Sequence, residues 1–281
     1  MSSFGFEAEA CEQATGGPPV EATARSSQYL HAPGSSLPRC LVCKLEITEN
    51  PIVGRYRGQP AELHPSCWQG IEARQFECRT FAEGRLNGVS SSLPKFAVLP
   101  DSPEFSQRVQ EPRLRRAAGG YRVERHGNLV LLGPAGCGKT MVAASIVKRL
   151  CAEAVAAYIA PGHDSSKLEF ATRVTWTTAA DLNNSRRQHR LGEGEAPDFL
   201  RAEDATLLVL DELGQEIGDD RWLLEFLNAR YNRALPTIST SGLTRAELEK
   251  RYGAGAVRRL VEPTGQFLDL FDAAKGGADE R

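Results

Sequence analysis

The chain has 281 residues, of which 41% are hydrophobic and 25% charged, and its formal net charge is −2. This composition is ordinary for a folded protein with one large and one small domain, and it excludes a globally basic nucleic-acid coat. No apolar run is long enough to span a bilayer and the first residues lack a secretory signal, so we expect a cytoplasmic protein without membrane contact, whose seven cysteines are reduced.

The first segment, residues 1–38, is rich in Ala, Ser, Gly, Pro and Glu and has few large apolar residues. Such a segment cannot bury enough surface to offset the entropy lost on ordering. We therefore predict a disordered tail.

Residues 39–80 are predicted to form a small zinc-binding module. Two pairs of soft or borderline ligands occur there, and two residues separate the members of each pair. Each pair can hold one edge of a tetrahedral Zn²⁺, with the segment 51–60 folded as a hairpin between them. The four ligands are Cys40, Cys43, His64 and Cys67. Cys78 is an alternative ligand. The arrangement resembles half of a LIM-type or treble-clef zinc finger. Because four protein ligands fill the coordination shell of the ion, the module is expected to bind a partner rather than to catalyse a reaction.

The next segment, 81–127, is predicted to be a linker, and it is locally basic. Two interpretations of its arginines remain open: they form a solvated face, or they contact nucleic acid. The arginines are Arg113, Arg115, Arg116, Arg122 and Arg125.

A phosphate-binding loop follows. A buried strand over 129–132 and a helix over 141–150 are predicted to flank a match to G-x-x-x-x-G-K-[ST] at every fixed position. Its glycines let backbone N–H groups converge on the phosphates of ATP, Lys139 is predicted to contact the β- and γ-phosphates, and Thr140 to bind Mg²⁺. The loop comprises Gly133, Pro134, Ala135, Gly136, Cys137, Gly138, Lys139 and Thr140.

Further strands and a basic helix are predicted after the loop. We expect strands over 155–160 and 174–177, so that two strand-helix units separate Thr140 from the next motif, and a helix that begins at Thr178. This helix carries a basic cluster near its end, before Gly192. The cluster can contact DNA phosphates or merely complement the helix dipole. Its members are Arg186, Arg187, His189 and Arg190.

The second chemical motif is an apolar strand over 207–210 followed by Asp211 and Glu212. In a parallel sheet these acids would emerge at the carboxyl edge, which is a Walker B pattern. Asp211 is predicted to hold the Mg²⁺ shell, and Glu212 to orient the water that attacks the γ-phosphate.

The remaining elements complete the large domain, predicted over 128–272, before a polar tail at 273–281. An amphipathic helix presents an apolar face that we assign to the core. Strands are predicted over 236–241 and 267–271, and a capping box starts a helix between them. The apolar face consists of Trp222, Leu223, Phe226 and Leu227, and the capping box of Thr244 and Glu247.

The order of these motifs resembles the DnaC/IstB-type AAA+ ATPases, which are bacterial helicase loaders and transposition helpers. The resemblance covers about residues 92–272 and rests on five segments: 133–140, 177–182, 207–214, 228–231 and 236–243. It implies a three-layer α/β/α P-loop fold with a RecA-like parallel sheet, preceded here by the zinc module.

The resemblance also implies a nucleotide-dependent homo-oligomer that acts on DNA, with single-stranded DNA favoured over double-stranded DNA. Its expected protein partner is a replicative helicase or a transposase. An arginine finger supplied in trans matches Arg259, with Arg258 less favoured. One position departs from the family: Gly242 stands where a polar sensor residue, often Asn, is usual. Either Thr240 or Ser241 substitutes for it, or hydrolysis is slow and the nucleotide acts as an assembly switch.

Overall fold

The computed structural model describes residues 39–40, 42–47, 52–56, 59–160, 164–189, 194–217, 221–262 and 265–271. The predicted tails at 1–38 and 273–281 lie outside these ranges, as do Arg190 and Gly192. No helix in the ranges combines the length and the apolarity that crossing a bilayer requires. The chain divides into two compact units. The first holds the described residues up to Leu86 and Glu153–Leu168, and the second holds Asn87–Ala152 and the described residues from Glu169 onward.

The first unit contains a β-hairpin and the start of a long helix. Strand β1 (Ile52–Tyr56) pairs antiparallel with β2 (Gln59–Leu63), which confirms the predicted hairpin. Helix α1 (Pro65–Ser92) begins two residues later. A small apolar cluster lies beside them and is too small to stabilise a domain alone. Its buried members are Cys40, Ile47, Leu63 and Trp68.

Three short helices precede the sheet of the second unit: α2 (Pro103–Arg108), α3 (Pro112–Gly120) and α4 (Val123–His126). Proline at the first position starts α2 and α3, where its missing N–H costs nothing. The segment predicted as a linker, 81–127, is therefore largely helical, and the predicted domain boundaries stay a prediction.

A five-stranded parallel sheet forms the centre of the second unit, in the order β4-β5-β6-β3-β7. Strand β3 lies between β6 and β7. Because β3 and β6 are parallel neighbours, the segment that follows β6 lies next to the segment that follows β3. The carboxyl ends of the strands therefore bring the phosphate-binding loop and the Walker B acids to one edge of the sheet. The strands are β3 (Leu129–Leu132), β4 (Val174–Thr178), β5 (Leu207–Leu213), β6 (Thr237–Ser241) and β7 (Gln266–Asp269).

Helices flank this sheet, which gives the predicted three-layer α/β/α P-loop fold. The apolar face assigned to the core is buried as predicted, since Trp222, Leu223, Phe226 and Leu227 are each at most 3% exposed. The predicted capping box at Thr244 is present. The helices are α5 (Lys139–Ile159), α6 (Ser165–Thr172), α7 (Ala179–Gln188), α8 (Pro197–Asp204), α9 (Arg221–Asn232) and α10 (Arg245–Val261).

The strand predicted over 155–160 is wrong, because α5 continues to Ile159. The run from Lys139 to Ile159 contains neither glycine nor proline, and its alanines favour the helix over the strand that Val155 and Tyr158 suggested. A single strand, β4, therefore lies between Thr140 and Asp211, not two.

Candidate functional site

The phosphate-binding loop connects the end of β3 to the start of α5. Gly136 (φ 78°) and Gly138 (φ 101°) adopt the left-handed conformation that glycine allows without strain. A side chain at Gly138 would also meet Val109, whose Cγ2 lies 3.2 Å from the Cβ position. The loop therefore keeps an open cradle of backbone N–H groups at a helix N-terminus, which suits an anion.

Lys139 lies inside this loop and is 8% exposed. Its Nζ donates to the backbone oxygens of Gly133 at 2.7 Å and Pro134 at 2.8 Å, so the ammonium folds back over the loop. Phosphate oxygens are stronger partners for an ammonium than carbonyls are. The geometry therefore holds a cation where the β- and γ-phosphates of a bound nucleotide would lie.

Asp211 lies next to this loop at the carboxyl end of β5 and is 4% exposed. Its Oδ1 accepts hydrogen bonds from Thr140 Oγ1 at 3.1 Å and Thr240 Oγ1 at 2.5 Å. A hydroxyl and a carboxylate oxygen in contact are ligands that fit Mg²⁺. The sequence-predicted metal pair, Thr140 and Asp211, is thus brought together.

Glu212 is exposed at the same edge, in an unusual backbone conformation. Its φ is 56°, and the pairing of β5 with β6 shifts register between Leu210 and Leu213. The Glu212 N–H donates to Thr240 Oγ1 at 3.0 Å. A non-glycine residue with positive φ carries strain, which is common at functional sites. The bulge turns Glu212 out of the sheet while Asp211 stays buried.

The three residues at the sensor position differ in what they contact. Thr240 touches both acids, whereas Ser241 donates to the Leu213 carbonyl at 2.6 Å and accepts from the Leu243 N–H. At Gly242, an added Cβ would meet nothing within 4 Å. Of the two candidate substitutes, Thr240 is the one that contacts Asp211 and Glu212.

A buried carboxylate that sequence reasoning missed holds the segment after Glu212. Glu216 is 3% exposed. Its carboxylate accepts hydrogen bonds from the Gly214 N–H at 3.0 Å and from the Tyr252 hydroxyl. Arg251 donates to the carbonyls of Gly214 and Glu216. Immediately afterwards α10 is interrupted at Gly253 (φ 83°, ψ 151°). These contacts tie the end of β5 to the first half of α10.

Arg259 lies in the second half of α10, away from the phosphate-binding loop of its own chain. Its backbone carbonyl accepts from the side chain of Asn128, which precedes β3, while the loop follows β3. Its guanidinium contacts Asn228 Oδ1 at 3.0 Å and lies 4.0 Å over the Tyr231 ring. Arg258 is more exposed, at 62% of its side chain against 24% for Arg259.

The basic end of α7 is largely engaged within the chain. Arg186 pairs with Glu195 at 3.1 Å and lies over the Phe199 ring. Arg187 donates to the Ile217 carbonyl at 3.0 Å. These contacts give both arginines a structural role, and the DNA contact predicted for this cluster stays a prediction.

In the first unit, the four predicted metal ligands meet. The Sγ and ring-nitrogen atoms of Cys40, Cys43, His64 and Cys67 all lie within 4.8 Å of one another, and the buried Cys78 is not among them. This spacing suits a tetrahedral ion with metal–sulfur bonds of about 2.3 Å. The His64 Nε2 lies 3.1 Å from the Glu46 carbonyl, a hydrogen bond that would leave Nδ1 free to bind metal.

The ionisation of the cysteines agrees with a metal site. Burial opposes ionisation of Cys40, but hydrogen bonds from the backbone at Cys43 and His64 lower its pKa to about 6. Burial and the neighbouring Cys43 and Cys40 side chains raise the pKa of Cys67 to about 11. Three thiolates at this distance would repel one another, so the three thiols cannot all ionise without a cation. A bound divalent ion would stabilise the thiolate forms.

The model of the AAA domain family matches residues 122–251. No curated protein matches the chain. Similar solved structures include a DnaC helicase loader, 26% identical over 56% of this chain and 85% of that chain, with a TM-score of 0.40. DnaI is 18% identical over 61% and 87%, with a TM-score of 0.41.

A further similar structure is AMPPCP-bound DnaA from Aquifex aeolicus, 18% identical over 63% of this chain and 50% of that one, with a TM-score of 0.41. The family match overlaps the predicted large domain and contains both the phosphate-binding loop and the Walker B acids. Residues 122–251 are therefore similar to the AAA domain family, which agrees with the resemblance of the motifs to DnaC/IstB-type AAA+ ATPases.

Proposed function

We propose that this protein is an ATPase that loads or remodels a replicative helicase on DNA during replication initiation. The observation that carries the proposal is the contact of Thr140 and Thr240 with Asp211, beside Lys139 and the exposed Glu212. Lys139 and the loop N–H groups would bind the phosphates of ATP, and Thr140 and Asp211 would hold Mg²⁺, which neutralises phosphate charge. Glu212 would accept a proton from the attacking water.

We further propose a nucleotide-dependent homo-oligomer in which Arg259 completes the site of a neighbouring subunit. Its position away from its own loop supports this role, because within one chain it cannot approach the γ-phosphate. Arg258 is the alternative. A guanidinium there would stabilise charge that develops during phosphoryl transfer.

Two other functions remain candidates. A transposition helper would share the fold and the ATPase but act with a transposase on duplex DNA. A nucleotide-gated adaptor with little turnover is favoured by the empty space at Gly242, since no side chain there can contact the γ-phosphate.

The test is ATP turnover of the purified protein, alone and with single-stranded or double-stranded DNA. Turnover stimulated by single-stranded DNA supports the loader, and stimulation by duplex DNA supports the transposition helper. ATP binding without turnover under any of these conditions would overturn the ATPase and leave the adaptor.

Restoring a polar sensor residue should raise turnover. In Gly242→Asn, the side chain enters space that is open in the structure. We expect kcat to rise about tenfold, the scale of one added hydrogen bond in the transition state. Gly242→Ala is the control, because it adds bulk without a polar group. Equal kcat values in both variants and the unmodified protein would show that Thr240 already supplies the sensor.

The Cys/His cluster would bind structural Zn²⁺ through Cys40, Cys43, His64 and Cys67. Cys43→Ser is expected to lower the zinc content, measured by atomic emission, and to destabilise the first unit while ATP affinity stays within about twofold. The control is Cys151→Ser, since Cys151 is buried in α5 and is not one of the four ligands. Loss of ATP binding together with zinc in Cys43→Ser would contradict the separation of the two sites.

A further inference from the structure

A basic cavity of about 330 Å³ lies in the second unit, between α3, α4 and the edge strand β7. The polar side chains that line it are those of Arg113, Arg116, His126 and Gln266, and no carboxylate does. Two guanidinium groups without a carboxylate among the lining side chains favour an anion as the ligand of this cavity. None of the residues that line it belongs to the phosphate-binding loop.

Among the described residues, the guanidinium groups around this cavity have no acidic partner. None of the guanidinium groups of the five arginines in the segment 81–127 forms an ion pair there, although the backbone N–H of Arg113 donates to Glu111 Oε1 at 3.1 Å. Some exposed arginines elsewhere are paired, for example Arg108 with Glu104 at 2.7 Å and Arg233 with Asp204 at 2.6 Å. Arg113 donates to the Asp269 carbonyl at 3.0 Å, which orients its guanidinium without cancelling the charge.

His126 is held through one ring nitrogen, and its other ring nitrogen has no hydrogen-bond partner among the described residues. Its Nδ1 accepts from the Arg122 N–H at 2.7 Å, so in the neutral ring the proton is on Nε2. The ring stacks on Tyr121 at 5.8 Å, and the Tyr121 hydroxyl donates to the Gly127 carbonyl. The cavity therefore presents two guanidinium groups and one ring N–H from a rigid wall.

We propose that this cavity binds the phosphodiester backbone of DNA, an inference that rests on the DNA role in the proposed function. Arg115 and Arg125, the chain neighbours of Arg116 and His126, are both exposed. Cationic groups therefore extend past the single phosphate that the cavity could hold, which favours a polymer over a free phosphate. The Tyr121 ring is 1% exposed and cannot stack on a base, so the contact is independent of sequence.

The test is Arg116→Glu, measured as the Kd for a labelled single-stranded oligonucleotide. Arg116 is exposed and forms no hydrogen bond or ion pair with the described residues, so its replacement should leave the fold intact. We expect the Kd to rise about tenfold at low salt, equally for different sequences, and the slope of log K against log salt to fall by about one. ATP affinity should not change.

The matched control is Arg201→Glu, which makes the same charge change at an exposed arginine of α8 that pairs with Asp198. Equal oligonucleotide affinity in the two variants would overturn the proposal. So would a change in inorganic phosphate or ATP binding alone, which would assign the cavity to a small anion. If the unmodified protein bound no oligonucleotide, the proposal would fall with the DNA role, while its ATP turnover would still report separately on the ATPase.

Discussion

Replacing Lys139 by alanine is expected to raise the Kd for ATP at least about 100-fold, which corresponds to roughly 3 kcal/mol. The ammonium is buried in the loop and donates to the carbonyls of Gly133 and Pro134, and it forms no ion pair with a carboxylate of the described residues. Its removal deletes the main cation that faces the β- and γ-phosphates. Titration with a fluorescent ATP analogue measures the change.

Lys148→Ala is the control for this variant, because Lys148 belongs to the same helix and its Nζ donates to the Ala97 carbonyl. We expect its ATP affinity to stay within about threefold of the unmodified protein. Circular dichroism should give the same helix content for both variants. ATP binding retained in Lys139→Ala would show that the loop is not the nucleotide site.

Glu212→Gln should separate binding from hydrolysis. The amide keeps the shape of the side chain and the backbone bond from the Glu212 N–H to Thr240, but it cannot take a proton from water. We expect kcat to fall about 10²- to 10⁴-fold, the range for removal of a general base, with little change in the Kd for ATP. Phosphate release and equilibrium titration on the same preparation give both values.

Glu225→Gln is the matched control, since Glu225 is an exposed carboxylate on α9. Its kcat should equal that of the unmodified protein. A Glu212→Gln variant with unchanged turnover would remove the catalytic role of Glu212. Comparable loss in both variants would indicate a general charge effect.

The sequence allowed the loop and the Walker B strand to be predicted because their constraints are local. Glycines at positions 136 and 138 indicate backbone with positive φ, and four consecutive apolar residues at 207–210 indicate a strand that is buried on both faces. The contacts of Glu216 could not be predicted, since its partner Tyr252 lies 36 residues away on another element. Periodicity also failed at 155–160, where apolar residues fit a strand and a buried helix equally.

The clustering of Cys40, Cys43, His64 and Cys67 could also be predicted, because the spacing within each pair lets its two side chains approach one metal ion. By contrast, the register shift that turns Glu212 outward has no sequence signal: Asp211 and Glu212 look like an ordinary continuation of β5. At this shift the Thr240 hydroxyl, on the neighbouring strand, hydrogen-bonds to both residues. Such tertiary overrides of a local pattern are expected at functional sites.

The positive φ of Glu212 has a consequence for how this chain can change over evolution. Glycine would occupy that conformation without strain, and relief of the strain is worth on the order of 1 kcal/mol. Selection for thermal stability alone would therefore favour Glu212→Gly and lose the carboxylate. A glutamate at this position therefore marks a compromise between stability and activity. In a lineage that no longer needed ATP turnover, glycine would be expected to replace Glu212 early.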